Sequence, residues 1–308
     1  MKKFIISDLH GNGEIYNTII SYLENLSNDD DITLYINGDL IDRGLDTFYM
    51  LNDVYERCHG KGNIKINYLG GNHELMFYHA CKSKKRGKPL DNRSDWIRNG
   101  GWILKEELNL LEDEITYKFQ DFIGNLKIYE VLPDKIKKNQ ILLVHAAAPR
   151  IIKSPCDLFI KDDTYEIEKA VWKREDSLVD IFGPLASVIP VDIGKKGYLT
   201  IIGHTPIKNQ RGFIYNKQQN YLNIDGGCAA YAIRHFDYNH VPLVEVNNGY
   251  LTILIFNHNN EIIDGYYFDG SILKMEEEKL KEKRQYINHS YDNCEEYKKK
   301  LILSKYSK

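Results

Sequence analysis

The stretch ITLYINGDLIDRG, residues 32–44, joins an apolar run to a charged turn. Its first part, Ile32 to Asn37, has the length and apolar content typical of a strand buried on both faces. Its second part places Asp39, Asp42 and Arg43 between two glycines. Because ligands bind at the carboxyl ends of strands in open α/β sheets, this stretch predicts a sheet with a functional site at its strand ends.

The same arrangement recurs at four other places in the first 230 residues. Apolar runs at residues 3–7, 64–69, 140–144 and 199–202 each lead into a polar box. These boxes supply further side chains that can bind metals, namely Asp8, His10, Asn72, His73, His145 and His204. Any one of them alone is better explained as a turn residue or a core histidine. Five such strand ends together predict a polynuclear metal site.

Other segments predict helices and a second kind of strand. Apolar side chains recur at helical spacing in residues 14–26, 47–58 and 96–111. Antiparallel strands joined by Asn and Gly turns are predicted at residues 241–246, 249–256 and 261–268. We therefore expect an α/β fold with helices outside the sheet and a C-terminal antiparallel β extension. We expect a body over residues 1–270 and a charged helical tail over residues 271–308.

Composition narrows the functional classes. The 308 residues hold 41 Lys and Arg against 44 Asp and Glu, a net charge of −3, so no global basic field attracts nucleic acid. No apolar run reaches the length of about 18 residues that spans a bilayer. The five cysteines lie far apart, which argues against a disulfide framework or a cysteine-based zinc site and favours a cytoplasmic location. The sequence leaves the oligomeric state open.

The donors at the strand ends indicate which metals and which chemistry to expect. Oxygen and imidazole ligands without thiolates suit manganese, iron or zinc. Two such metals about 3.5–4 Å apart clamp an in-line displacement at phosphorus. The predicted site is therefore suited to hydrolysis of a phosphoester.

The ordered set of boxes resembles the metallophosphoesterase (calcineurin-like) superfamily over roughly residues 1–235. The run Asp42-Arg43-Gly44 and the box Asn72-His73-Glu74 are similar to its phosphoprotein phosphatase branch, which includes bacterial and phage Ser/Thr phosphatases. This resemblance implies a four-layer αββα sandwich. Two departures are Ser7, where the branch usually has glycine, and Ala146 after His145, where glycine is frequent.

The resemblance also implies a role for each residue. Two divalent metals, with manganese expected and iron or zinc as alternatives, would be held by Asp8, His10, Asp39, Asn72, His145 and His204, Asp39 bridging both. The substrate phosphate would be bound by Arg43, Asn72 and Arg174, the last in the run Trp172-Lys173-Arg174. His73 would be the general acid and Asp42 would orient it, whereas Glu74 would be structural. The late run Ile224-Asp225-Gly226-Gly227 also matches the branch.

The function implied is hydrolysis of a phosphomonoester, with a metal-activated hydroxide attacking phosphorus in line. The expected substrate is phosphoserine or phosphothreonine in a protein. Symmetrical hydrolysis of a dinucleoside tetraphosphate, or of an RNA-end or cyclic-nucleotide phosphoester, is the alternative for the same centre. A catalytically silent metal-binding scaffold is an alternative of another class.

Two weaker features lie after the Asn72 box. The basic run at residues 82–88 could recruit a phosphorylated protein or nucleic acid, but a solvated loop explains it better. Trp96 and Arg98 are expected near the rim of the site, where helix packing explains the tryptophan better than contact with a substrate.

Overall fold

The structure is a computed structural model that describes residues 1–28, 30–85, 87–90, 94–162, 164–174, 192–207, 211–228, 240–257 and 259–287. Its strands are β1 Lys2–Ile6, β2 Ile32–Asn37, β3 Ile64–Leu69, β4 Tyr129–Ile136, β5 Asn139–Val144, β6 Tyr198–Ile202, β7 Ile214–Asn216, β8 Tyr221–Asn223, β9 Val241–Asn247, β10 Tyr250–Phe256, β11 Ile262–Phe268 and β12 Ile272–Lys274. Its α-helices are α1 Gly13–Ser27, α2 Thr47–Cys58, α3 Asn72–Lys82, α4 Trp102–Asn109, α5 Asp113–Gly124, α6 Tyr165–Trp172 and α7 Glu277–Arg284.

These strands form two sheets. The first has seven strands in the order β12-β11-β10-β9-β1-β2-β3, and the second has five in the order β4-β5-β6-β8-β7. Strands β1, β2 and β3 are parallel to one another, and so are β5, β6 and β8. Each sheet therefore has one edge at which the carboxyl ends of its parallel strands come together.

The central strands, such as β2 and β10, are buried on both faces, as their apolar runs predict. Alternate residues of one strand, such as Ile5 and its neighbour Phe4, belong to two different apolar clusters. The cluster with Ile5 also contains Leu143 and Ile253, so it lies between the sheets. The cluster with Phe4 contains the apolar faces of the helices. Two sheets flanked by helices confirm the predicted α/β sandwich.

The C-terminal part differs in detail from the expectation. Strand β9 pairs antiparallel with β1, so the expected β extension is the continuation of the first sheet. The expected helical tail from residue 271 is wrong at its start, because β12 is a strand that pairs with β11. Helix α7 follows, and its Leu280 is buried against the body. Residues 288–308 of the expected tail lie outside the described residues, and the boundary at residue 270 stays a prediction.

The segment predicted as one helix over residues 96–111 is divided. A π-helical turn covers Ile97–Gly101, with Gly100 at a φ of 107°, and α4 begins after it. Short π-helical turns are frequent at functional sites because they redirect side chains and carbonyls locally. In the described part of the chain, no helix is both long enough and apolar enough to cross a membrane.

Candidate metal centre and active site

The loops that carry the predicted site residues have an unusual backbone. Nine non-glycine residues among those described adopt a positive φ, which costs free energy for any residue with a side chain. Six of the nine are predicted site residues, namely Asp8, His10, Asp39, Asp42, Arg43 and His204. The fold thus maintains these loops in a strained conformation at the strand ends, which is where such strain is typically retained for function.

Asn37, the last residue of β2, joins the two sheets at this edge. Its Nδ2 donates to the backbone oxygens of Val144 at 3.1 Å and Ile201 at 3.2 Å, the first in β5 and the second in β6. Its own backbone oxygen lies 2.9 Å from His145 Nδ1. The strand ends of both sheets therefore converge on one site. This role of Asn37 was not predicted from the sequence. The sequence feature that indicates it is a polar residue at the end of an apolar strand.

Asp39 lies at the centre of the predicted metal ligands. Two groups of side chains have ligand atoms within 4.8 Å of one another, His10-Asp39-His73 and Asp39-His145-His204, and all are buried. Asp39 Oδ2 is 3.5 Å from His10 Nε2, and Asp39 Oδ1 is 3.3 Å from His145 Nε2. Burial alone would raise the pKa of Asp39, but the neighbouring histidines outweigh it and hold the pKa well below its usual range. Asp39 is thus the carboxylate common to both groups.

The positions of three histidines suit metal binding. In each, one ring nitrogen lies within hydrogen-bond distance of a backbone oxygen, to which it can donate, and the other nitrogen can bind a cation. The pairs are His10 Nδ1 with Ile41 O at 3.1 Å, His145 Nδ1 with Asn37 O at 2.9 Å, and His204 Nε2 with Trp172 O at 3.0 Å. The other nitrogens face Asp39 or Asn72, and Arg43 also lies beside His10 Nε2. The residues present therefore fit two divalent cations.

Asn72 lies in the second group and Asp8 lies beside it. Asn72 Oδ1 is 3.1 Å from His145 Nε2 and 3.0 Å from His204 Nδ1. Both carboxylate oxygens of Asp8 accept from the His204 backbone N–H at 3.1 Å, and Ser7 Oγ donates to Asp8 Oδ2. Burial, and then the nearby Asp225, raise the pKa of Asp8 well above its usual range. The structure thus brings Asp8 against the His204 turn, outside the two groups centred on Asp39.

Gly203 makes this close approach possible. A Cβ atom at that position would lie 2.0 Å from Asp8 Oδ2 and 2.1 Å from Ser7 Oγ, so any larger residue would separate the His204 turn from Asp8. The motif glycine before His204 is therefore required by packing.

Arg43 lies across the first group. Its Nη1 is 3.1 Å from His10 Nε2 and its Nη2 is 3.0 Å from His73 Nε2. The backbone N–H of Arg43 donates to the oxygen of Gly100 at 3.0 Å, which ties Arg43 to the π-helical turn. The guanidinium is half-buried, so a bound anion can reach it.

His73 differs from the other histidines because its partner is a carboxylate. His73 Nδ1 lies 2.7 Å from Asp42 Oδ2, and both side chains are fully buried. Burial lowers the pKa of His73, but Asp39 and Asp42 outweigh that effect and raise it above its ordinary value. Trp96 Nε1 lies 2.9 Å from each Asp42 oxygen. Trp96 is buried and packs against Phe77, in agreement with the packing interpretation, and its indole also donates to Asp42.

Glu74 supports the turn after β2. Its carboxylate accepts the backbone N–H groups of Asp39 at 2.9 Å, Leu40 at 3.1 Å and Gly71 at 2.8 Å. Tyr68 donates its hydroxyl to the same carboxylate at 2.5 Å. Glu74 thus shapes the loop that carries Asp39, in agreement with a structural role.

Arg174 and Asp225 complete the surroundings of the second group. Arg174 is exposed, and its Nε lies 3.2 Å from His204 Nε2. Asp225 is buried and accepts the Gly227 N–H at 2.9 Å, and burial raises its pKa to about 6. The two arginines predicted to bind phosphate therefore lie at different groups, Arg43 at the first and Arg174 at the second.

The basic run and Arg98 form ion pairs with carboxylates that are not among the predicted site residues. In the basic run, the Lys84 ammonium pairs with Asp113 of α5 at 2.5 Å, and residue 86 lies outside the described residues. Arg98 is exposed and pairs with Asp95 at 3.3 Å.

The part of the chain that matches a known protein family contains all of the motifs described above. The sequence model of the family described as "Calcineurin-like phosphoesterase" matches residues 1–243. The chain belongs to this family. Its members are dinuclear metal-dependent phosphoesterases, and the two His and Asp groups that share Asp39 agree with that requirement. A search of curated proteins finds no match.

Several solved structures are similar to this phosphoesterase at low identity. A predicted diadenosine tetraphosphatase is 14% identical, with 83% of this chain and 94% of that chain covered and a TM-score of 0.49. A Ser/Thr phosphatase from Saccharomyces cerevisiae similar to human PP5 is 14% identical, with 80% and 72% covered and a TM-score of 0.48. A cold-active protein tyrosine phosphatase from a Shewanella species is 15% identical, with 89% and 80% covered and a TM-score of 0.43.

Proposed function

We propose that this phosphoesterase removes phosphate from phosphoserine or phosphothreonine in proteins. The observation that carries the proposal is the arrangement of His73 between Asp42 and Arg43, with its Nδ1 2.7 Å from a carboxylate and its Nε2 3.0 Å from a guanidinium. A serine alkoxide is a strongly basic leaving group, so its departure needs a proton donor close to the bound phosphate. The site supplies such a donor beside a phosphate-binding arginine.

Six residues would hold the metals. Asp8 and His10 would hold the first ion, Asn72, His145 and His204 the second, and Asp39 both, although in this structure Asp8 lies against the His204 turn. When bound, two divalent cations supply positive charge to the phosphoryl oxygens and acidify the attacking water. Manganese is our choice because oxygen and imidazole donors without thiolates suit it, with iron or zinc as the alternatives.

His73 is better suited to proton transfer than to metal binding. Its Nε2 is 3.9 Å from Asp39 Oδ2, farther than the corresponding nitrogens of His10 and His145. His73 also differs from His10 in its other ring nitrogen, which lies beside the Asp42 carboxylate and not beside a backbone oxygen. The Asp42 carboxylate orients the ring through Nδ1 and stabilises its protonated form, so Nε2 presents a proton to the leaving oxygen.

The phosphate would be bound from two sides. Arg43 and Arg174 are guanidinium groups, which bind phosphate oxygens with two directed N–H groups and suit an anion better than ammonium groups do. The Asn72 side chain, adjacent to His73 in α3, would add an amide N–H while its oxygen faces the second metal group. Positive charge placed in this way stabilises the transferring phosphoryl group.

A substrate panel tests the assignment. With Mn²⁺ present, we expect the highest kcat/KM on a phosphoserine peptide, and lower values on diadenosine tetraphosphate and a 2′,3′-cyclic nucleotide. Preference for either nucleotide would replace the protein phosphatase assignment by the corresponding alternative. Absence of turnover of p-nitrophenyl phosphate with any divalent metal would favour a silent scaffold. The cytoplasmic location stays a prediction from the cysteine pattern.

A further inference from the structure

A cavity lies at one end of the parallel strands of the second sheet. It is the end opposite to the one that carries the metal groups. The volume of the cavity is about 850 Å³. It is lined by the first residue of β5, Asn139, and by the residues immediately before β6 and β8, Gly197 and Asn220. Lys169 of α6 lines its side. The metal groups follow the other ends of β5 and β6, so this cavity is separate from the proposed metal centre.

The lining of this cavity favours a hydrophilic anion. Its charged side chains are four cations, Arg150, Lys169, Lys195 and Lys196, and one carboxylate, Asp192. We call it the basic cavity. The other lining residues are glycines, glutamines, asparagines, Ala148 and Pro149, with no aromatic side chain among the described residues that line it. A base or an apolar group would find few partners there, whereas carboxylates or phosphates would find ammonium groups and amides.

Lys169 supports this reading because it is half-buried and lies near two other cations. The nearby Glu166 is engaged with Arg150, at 3.4 Å from Arg150 Nε and 2.8 Å from its backbone nitrogen. Within the described residues, Lys169 forms no ion pair within 4.0 Å. Burial lowers the pKa of Lys169, and Lys195 and Arg150 act in the same direction, whereas Glu166 and Asp192 oppose them. An anion in the cavity would relieve the repulsion among the three cations.

A smaller cavity lies beside Arg174. Its volume is about 440 Å³, and its lining includes Arg174, Ile193, Tyr221 and Asn223. Ile193 is the chain neighbour of Asp192 and Gly194 of the basic cavity, and Tyr221 follows Asn220. Residues of β8 and the residue before it thus contribute to both cavities, and a proposed phosphate-binding arginine lines the smaller one.

The spacing along β8 gives a lower bound for a ligand that reaches both cavities. A strand rises about 3.3 Å per residue, so Asn220 and Asn223 are roughly 10 Å apart. An extended peptide beside β8 would therefore span the same interval with about three residues.

We propose that the basic cavity binds acidic side chains of the phosphorylated substrate, at least about three residues from the phosphoserine. This inference rests on the proposed protein phosphatase function and adds a substrate class to it. The cavity would thus select phosphoproteins in which aspartate or glutamate residues lie near the phosphorylated position.

The experiment uses the full chain with Mn²⁺ and matched peptides. Each peptide carries one phosphoserine and a run of either glutamates or glutamines, placed on the N-terminal or the C-terminal side. The test variant is Lys169→Gln with Lys196→Gln, and the control is Lys85→Gln with Lys88→Gln, which removes the same charge from the exposed basic run. Fluorescence anisotropy of labelled, unphosphorylated versions of the peptides measures binding without catalysis.

We expect the wild-type chain to prefer a glutamate peptide, and the test variant to lose roughly tenfold in affinity and in kcat/KM for that peptide alone. The loss should be in KM, and the control variant should retain the preference. The proposal is overturned if both variants behave alike, if the glutamate and glutamine peptides are equivalent, or if the glutamate peptide binds but is not hydrolysed. Turnover of p-nitrophenyl phosphate but of neither peptide would instead contradict the protein phosphatase function itself.

Discussion

Replacing Trp96 by phenylalanine removes one N–H donor from Asp42 and leaves an aromatic ring in place. The indole nitrogen lies 2.9 Å from both carboxylate oxygens, and the ring packs edge-on against Phe77 with centroids 5.2 Å apart. A hydrogen bond to a charged group contributes about 1.5–3 kcal/mol, which corresponds to a factor of about 10 to 100 in rate. Because Asp42 orients His73, we expect most of this loss in the step that protonates the leaving group.

The assay compares two leaving groups on the same protein. A phosphoserine peptide releases an alkoxide that needs a proton, whereas p-nitrophenyl phosphate releases a stable phenolate. We expect Trp96→Phe to lower kcat about tenfold on the peptide, with a much smaller effect on the aryl ester and an unchanged manganese content. The control is Trp102→Phe, since Trp102 lies in the same segment but is 55% exposed. An equal loss on both esters, or a loss that follows the metal content, would refute this reasoning.

Three further outcomes follow from described contacts. His73→Asn should slow the phosphoserine peptide by at least the factor expected for Trp96→Phe, again more than the aryl ester, and equal losses would contradict its role as acid. Asn37→Ala leaves two buried carbonyls without their donor, so urea unfolding should show a loss of about 2–4 kcal/mol, and a loss near zero would contradict its bridging role. Burial raises the pKa of Asp53, but Arg57 outweighs this effect, and the pKa is lowered overall. The carboxylate therefore stabilises the fold above its unfolded pKa of about 3.9. This stabilisation is lost as the pH falls through the lower pKa of the folded state. Arg57→Met should therefore destabilise most near neutral pH and much less once the pH is below the folded pKa of Asp53, as thermal unfolding across acid and neutral pH will show, and a constant difference would contradict the pair.

The fold could be predicted where local pattern and burial agree. The apolar runs at Ile32–Asn37 and Ile64–Leu69 are strands with the same bounds, because side chains buried on both faces must be apolar along the whole strand. The short strands Ile214–Asn216 and Tyr221–Asn223 have no such pattern and were missed. Which strands belong to which sheet also depends on distant pairings that periodicity does not contain.

For the site, too, some features could be predicted from the sequence and others could not. The boxes at the strand ends predict the candidate metal donors, because five of them occur together. The roles of Asn37 and Trp96 depend on contacts between residues 107 and 54 positions apart in the chain, and neither residue type indicates such a contact. The left-handed backbone at Asp39 and Asp42 could not be predicted from the sequence either, because glycine and asparagine adopt this conformation more readily.

The central claim is that a metal centre built around Asp39 hydrolyses a phosphomonoester. The most direct test is hydrolysis of a phosphoserine peptide by the metal-free chain as Mn²⁺ is added in known equivalents. The account predicts no turnover without metal, activity that rises until two ions are bound per chain, and none at any ratio for Asp39→Asn. Turnover without metal, saturation at one ion, or retained activity in Asp39→Asn would contradict it.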